Sequence, residues 1–319
     1  MPALLRIVAL AGSLLLSVQA FAGPIVDAAQ VAEAIARGAI VWDARDATSF
    51  RQAHLPGAVT VAETERALRL PTVQEFNELM RVERAFSDAG LDLGREIVVY
   101  ANRGSPLAYA AFAAAQYFGA RKVSVFHDGI EGWHDSGRAI ETGDGRRTPA
   151  AVRIAPDPRL SITTDELKAR VGRPDVQIVD VRTPAEYAGR DIRAARGGHI
   201  PGAVSIPYEW NWVDPDANAK LVRRQVADTR GMALKPRVEL RRLYAGLDPR
   251  KETIVYCQTG GRASETFGVL KELGFETVRL YKHSWSVWAS RPDTPVATGD
   301  GPQTCCATGP LPAAQQPVH

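Results

Sequence analysis

One stretch of the sequence, IVYCQTGGRAS, carries the groups best suited to chemistry. Cys257 follows a β-branched run, Gly260 and Gly261 come shortly after it, and Arg262 closes the segment. TIVY reads as a strand, and ASETFGVLKELG reads as a helix with Ala263, Phe267, Leu270 and Leu273 at apolar spacing. The loop therefore joins the C-terminal end of a strand to the N-terminus of a helix, where α/β folds place their sites. Two glycines let the backbone curl so that amide N–H groups converge, and the helix N-terminus reinforces that nest. A thiol facing it is stabilised as thiolate and becomes a nucleophile at neutral pH. Arg262 in the first helical turn is disfavoured by the helix dipole unless an anion lies nearby, either the thiolate or its ligand. The plainer alternative is an inert core thiol beside a flexible turn and a solvated arginine. Gln, Thr and two glycines suit core packing badly, so Cys257 and Arg262 are the candidate catalytic residues. Gln258, Thr259, Gly260 and Gly261 are candidate substrate-binding residues.

The elements that must hold this loop occur twice. IVDAAQVAEAIARGAIVWDARDATSFRQAHLPGAV is matched later by LSITTDELKARVGRPDVQIVDVRTPAEYAGRDIRAARGGHIPGAVSIP. EIVVYANRGSPLAYAAFAAAQYFGARKVSVFHDGIEGW is likewise matched by ETIVYCQTGGRASETFGVLKELGFETVRLYKHSWSVW. An internal duplication accounts for this. In each copy short Val- and Ile-rich runs (IVWD, EIVVY and VSVF, then QIVDV, TIVYC and TVRLY) alternate with helical patterns. That predicts an α/β fold, twice: a mostly parallel sheet flanked by helices. The Pro-, Arg- and Gly-rich stretch ETGDGRRTPAAVRIAPDPRL holds neither periodicity, so the domains divide near residue 150. The expected organisation is 23–150 for the first domain, 151–300 for the second, and a loose tail at 301–319.

The opening MPALLRIVALAGSLLLSVQAFAG has one positive charge at Arg6, an apolar core and small residues at Ala20 and Ala22. It reads as a signal peptide, 1–22, cleaved before Gly23. No membrane span is expected after cleavage, and in a bacterium the destination is the periplasm. A formal charge of +3, with arginines mixed among acidic residues, gives no nucleic-acid groove and leaves small anions open. Cys257, Cys305 and Cys306 are the three cysteines, which is no disulfide framework, and no histidine stands at metal-ligand spacing. No metal and no cofactor are expected. Cys305 and Cys306 lie together in a Pro/Gly-rich tail, where an incidental pair is the simplest reading.

Over nearly all of the chain after the leader, the sequence resembles the rhodanese-type sulfurtransferases, in particular the two-domain thiosulfate sulfurtransferases. The residues carrying the likeness are DVRTPAEYAGR, GHIPGAVSIP, CQTGGRAS and YKHSWSVW. The resemblance implies two α/β domains with the cysteine only in the second and the active site between them. It implies that Cys257 takes sulfane sulfur from a donor as a persulfide and passes it to a thiophilic acceptor. The chemistry of the residues agrees: attack on the outer sulfur of thiosulfate expels sulfite, and cyanide or a thiol then removes the sulfur. A two-domain monomer is sufficient for this cycle.

The alignment puts Ala101 where Cys257 stands, so the first copy is expected to be catalytically silent, with Arg103 a candidate substrate contact from that side. Asp43 with Arg45, and Asp180 with Arg182, are expected to be structural pairs, and His54 and His199 to fix their Pro-Gly-Ala turns. Ahead of its Ser-Trp the resembled family shows an acidic residue and a glycine, where this chain has Lys282 and His283, so Lys282 is a candidate contact for an anionic donor. Trp285 and Trp288 are expected in the core. A phosphatase of the cysteine-and-arginine type needs five residues between the two, and Cys257 and Arg262 enclose four. Other readings are 3-mercaptopyruvate as donor, against which Gln258 and Arg262 weigh, and a persulfide carrier serving a partner protein. A thiol oxidoreductase is disfavoured because the loop has no Cys-x-x-Cys.

Overall fold

The computed structural model describes residues 23–61, 79–145 and 148–301. The leader at 1–22 and the tail cysteines Cys305 and Cys306 lie outside the described residues.

The first domain runs α1 (Ala28–Ala36), β1 (Ile40–Asp43), α2 (Ala47–Gln52), β2 (Val59–Thr60), α3 (Leu79–Ala89), β3 (Ile97–Tyr100), α4 (Pro106–Tyr117), β4 (Val123–Phe126) and α5 (Gly129–Asp135). The second runs α6 (Thr164–Lys168), β5 (Val176–Asp180), α7 (Pro184–Ala188), β6 (Val204–Ser205), α8 (Ala217–Val222), α9 (Arg237–Leu243), β7 (Glu252–Tyr256), α10 (Gly261–Leu273), β8 (Val278–Leu280) and α11 (Ser284–Ser290). Each domain holds a four-stranded sheet, ordered β2-β1-β3-β4 and β6-β5-β7-β8. Every pairing within them is parallel, with Asp43 beside Tyr100 and Asp180 beside Tyr256. All four residues of β1 and of β3 are buried, as strands covered by helices on both faces require. Two tandem α/β domains with parallel sheets are thus observed. The two-residue strands β2 and β6 follow the Pro-Gly-Ala turns and were not among the six strands visible as apolar runs.

Polar residues hold the strand ends in register. Arg45 bonds Asp43 at 2.6 Å, and Tyr100 donates its hydroxyl proton to the same carboxylate. Arg182 repeats this with Asp180 at 2.6 Å, and its guanidinium stacks 4.6 Å from the Trp285 ring. The His54 and His199 rings bond the carbonyls of Phe50 and Tyr187, each at 2.8 Å, which ties down both turns. Trp285 and Trp288 are buried in the core of the second domain.

The two domains share one apolar core that includes Val99 and Val125 from the first sheet and Val179 and Val255 from the second. Its centre is the pair α4 and α10. A side chain on Gly268 would come within 2.6 Å of the Tyr109 ring, so glycine is what lets these helices approach. Phe112 and Phe267 meet beside it with ring centroids 6.3 Å apart. His127 bridges the domains, with one ring nitrogen 2.9 Å from the Tyr109 hydroxyl and the other 2.8 Å from the Met232 carbonyl. Burial lowers its pKa and keeps it neutral. No helix of the described residues is long and apolar enough to cross a membrane.

Candidate active site

The strands β6, β5 and β7 lie side by side in parallel, and the segments that follow their C-terminal ends carry Glu209, Glu186 and Cys257. From β7 comes Cys257, whose side chain is buried. Its Sγ accepts the N–H of Gly260 at 3.1 Å, so the loop closes on the sulfur. Gly260 has φ +90° and caps α10, and a Cβ there would lie 2.9 Å from the Lys282 carbonyl oxygen. Only glycine accepts both constraints. The helix starts at Gly261, earlier than the apolar pattern showed, which places Arg262 in its first turn.

A second loop, at the start of α11, braces the first. Trp285 and Ser286 donate their N–H groups to the carbonyls of Cys257 and Gln258, both at 3.0 Å. Ser284 Oγ accepts the Cys257 N–H at 3.2 Å and donates to the Tyr281 carbonyl at 2.9 Å. Ser284 does this from a left-handed backbone, φ 52°, a conformation that costs a non-glycine residue about 1–2 kcal/mol.

Arg262 does not stand free. Its two terminal nitrogens bond the two oxygens of Glu186, both at 2.8 Å. Glu186 is the third residue of the capping box opened by Thr183 on α7, and accepts the Thr183 N–H at 3.0 Å. Burial works against its charge, but the Arg262 hydrogen bonds and charge overcome that and bring the carboxyl down to about 2. Arg262 stays protonated despite its own burial, because Glu186, Cys257 and Glu209 all favour the cation. Glu209, just past β6, is pushed up by burial and only partly offset by Arg262. Arg193, half exposed, reaches Glu186 at 3.4 Å. Gln258 donates to the Arg193 carbonyl at 2.8 Å, which fastens the 189–197 segment over the loop, and its Oε1 is buried without a partner.

The structure thus gathers Cys257, Gln258, Gly260, Gly261 and Arg262 around one sulfur, with Thr259 exposed at the loop tip. Lys282 lies behind the loop and lines a cavity of about 220 Å³ together with Tyr117, Thr163 and His283. Arg103 sits in the first domain's counterpart of the loop, bonded to Asp128 at 3.0 Å and Asp135 at 2.8 Å. Glu186, Ser284 and Glu209 were not singled out from the sequence. The Thr-Pro-Ala-Glu spacing announces a capping box but not the second use of its glutamate. Among the described residues, no three His, Cys, Asp or Glu side chains converge as metal ligands do.

An N–H donor on a buried sulfur, at the start of a thirteen-residue helix, suits a reaction in which negative charge moves onto and off that sulfur. Comparison with known proteins points the same way. The family model for the rhodanese-like domain matches residues 27–136 and again 163–291. A thiosulfate sulfurtransferase of Azotobacter vinelandii is 30% identical over 260 residues, spanning 81% of this chain and 90% of that protein. One from Pseudomonas aeruginosa is 30% identical over 262 residues, with the same 81% and 90% coverage. Among solved structures, wild-type EanB superposes with a TM-score of 0.72 at 23% identity, over 86% of this chain and 69% of that one. The anaerobic ergothioneine biosynthesis enzyme of Chlorobium limicola, bound to trimethyl histidine, gives 0.72 and 23% over 86% and 70%. At that identity the two structures speak to the fold.

Proposed function

The chain belongs to the rhodanese-like family, whose general chemistry is persulfide-mediated sulfur transfer, and on that premise we propose that it is a thiosulfate sulfurtransferase working through Cys257. The observation that carries this reading is the Gly260 N–H on the Cys257 sulfur, at the mouth of a loop closed by Arg262.

In the first half-reaction the Cys257 thiolate attacks the outer sulfur of thiosulfate. The S–S bond of the donor breaks, sulfite leaves with its electron pair, and Cys257 carries a persulfide. In the second, cyanide attacks the outer persulfide sulfur, thiocyanate leaves, and the pair returns to Cys257 as thiolate under the Gly260 N–H. A thiol acceptor does the same and leaves as its own persulfide. Neither step needs an oxidant, a metal or an organic cofactor. Because Glu186 already answers the charge of Arg262, the donor's oxyanion head is held chiefly by loop N–H groups and the α10 N-terminus, with Arg193 at the rim.

A thiol this buried favours small acceptors over docking of a carrier partner at the sulfur itself. A monomer contains every group the cycle uses. Export is part of the proposal: cleavage before Gly23 delivers the enzyme to the periplasm, and N-terminal sequencing of the exported protein checks it. The function itself is tested by thiocyanate formation from thiosulfate and cyanide. Robust turnover that is weaker with 3-mercaptopyruvate supports the assignment. Turnover with 3-mercaptopyruvate alone replaces the donor.

A further inference from the structure

The strand ends opposite the catalytic loop open onto a second feature, which the sulfur-transfer reading does not use. Two cavities, of about 940 and 1070 Å³, run between the domains and share Gln116, Arg121, Lys271 and Glu276. Their walls include residues where strands begin, such as Val123, Glu252 and Val278. The thirteen residues of α10 therefore separate this trench from Cys257 by roughly 20 Å.

Most charges along the trench are spent on one another. Arg37 pairs with Glu96 at 2.8 Å, Arg237 with Glu272 at 3.0 Å, Arg159 with Asp157 at 2.8 Å, and Arg279 with Glu252 at 3.1 Å. Among the described residues, Arg121, Lys122, Arg241 and Lys271 have no carboxylate at ion-pair distance. Glu276 is the acid that faces them. Cations are ordinary at helix C-termini, and α4 and α10 both end here, but the two helix ends together amount to only about one negative charge. After Glu276 is subtracted as well, a surplus of roughly two positive charges remains.

Two groups at the junction of the cavities lack partners in a more telling way. Lys271 is partly buried, and its ammonium lies over the Phe267 ring, 5.0 Å from the centroid. Burial lowers its pKa, and the charge of Asp157 offsets that only in part. On the neighbouring helix, Gln116 Oε1 is buried with no hydrogen-bond donor. What the two lack are an anion in contact with Lys271 and an N–H or O–H donor for Gln116, in a trench whose two cavities together exceed the volume of a small-molecule pocket.

We propose that this trench binds an acidic, extended peptide segment of a partner protein. A side-chain carboxylate of the segment would meet Lys271 and Arg121, and a backbone N–H would donate to Gln116. Charge complementarity and the two unsatisfied groups select this occupant. Because the trench lies away from Cys257, the partner is tethered or positioned there, and the chemistry proceeds without it. The inference does not depend on which sulfur donor the enzyme uses.

The test is fluorescence anisotropy with the full mature chain and a labelled octapeptide alternating Glu and Gly, beside its Gln-for-Glu counterpart. The proposal expects saturable binding of the Glu peptide at low salt and none of the Gln peptide. Affinity should fall at least tenfold in Lys271→Met with Arg121→Ser, and stay within twofold in the exposed control Arg223→Ser with Arg224→Ser. Sulfur transfer should be equal in all of them, which also shows that the variants are folded. Absence of saturable binding at low salt overturns the proposal, as does an equal loss in the control pair. Displacement of the peptide by inorganic tripolyphosphate at equal or lower concentration would make this a plain polyanion site and overturn the peptide assignment.

Discussion

In the first domain the chain leaving β3 passes through Ala101 and turns at Gly104, φ +71°. In the second, the chain leaving β7 passes through Cys257 and turns at Gly260, φ +90°. The backbone plan is the same, down to the N–H of Ile130 on the Ala101 carbonyl and that of Trp285 on the Cys257 carbonyl, both at 3.0 Å. What differs is what fills each loop. The first loop is sealed: Met232, from the connection between β6 and β7, packs so close to Gly104 that an added Cβ would fall 2.7 Å from its own. Glu131 takes the Arg103 N–H and the Asn102 amide, both at 2.8 Å, while Asp128 and Asp135 take the Arg103 guanidinium. In the second copy an N–H points at sulfur, and the arginine stands three positions further on, in the first turn of the helix. The duplication kept the scaffold, and one copy turned its loop into a structural joint.

Removing the nucleophile makes the largest difference between the copies. Cys257→Ser should take thiocyanate formation to background, and adding Ala101→Cys to that variant should restore nothing, since Met232 covers the loop. Recovery of turnover in the double variant would erase the proposed distinction.

The next effect concerns Glu186, which has no role to copy in the first domain. Glu186→Gln leaves Arg262 largely buried without its counter-charge, a change worth about 3–5 kcal/mol. Chemical denaturation should show this at neutral pH, together with a raised KM for thiosulfate as the loop loosens. The pH dependence has a definite sign. A carboxyl lowered from 4.5 to about 2 contributes stability that is complete above 4.5 and lost as pH falls toward 2, about 3 kcal/mol in all. That acid limb should be absent from denaturation curves of Glu186→Gln.

A subtler comparison pairs Gly129 with Ser284, which occupy equivalent left-handed positions at φ 56° and 52°. A Cβ on Gly129 would fall 2.1 Å from the Ala101 carbonyl oxygen, so Gly129→Ala should destabilise by about 2–4 kcal/mol through steric and backbone strain. Ser284→Gly should instead change stability by less than about 1 kcal/mol, because the relieved strain offsets the lost hydrogen bonds. It should still slow the persulfide half-reaction several-fold, since Ser284 Oγ no longer holds the Cys257 N–H. Equal stability losses in the two variants would contradict the equivalence drawn between them.

The scaffold was legible in the sequence because its signals are local. IVWD, IVVY and TIVY are β-branched runs, and Cys257, Gly260 and Gly261 lie within one turn of chain. The parts that were not legible depend on residues distant in sequence. Glu186 meets Arg262 from 76 positions away, and its local role as a helix cap conceals the second one. Ser284 looks like any helix-starting serine until the duplication sets it opposite Gly129. The Met232 seal comes from the connection between β6 and β7, more than a hundred positions from Gly104, and β2 and β6 are too short to carry a pattern of their own. Arg103 and Lys282 show the same limit: type and position marked them as cations near an anion site, but tertiary partners decide where such side chains point.

The central claim is that sulfur rides on Cys257 and nowhere else. Mass spectrometry of the purified mature protein after brief exposure to thiosulfate, with peptide mapping, tests it most directly. The account predicts one added sulfur atom per chain, on the peptide containing Cys257, removed by cyanide and absent from Cys257→Ser. An unmodified Cys257 in folded protein, or an added sulfur on the tail peptide holding Cys305 and Cys306, would contradict it.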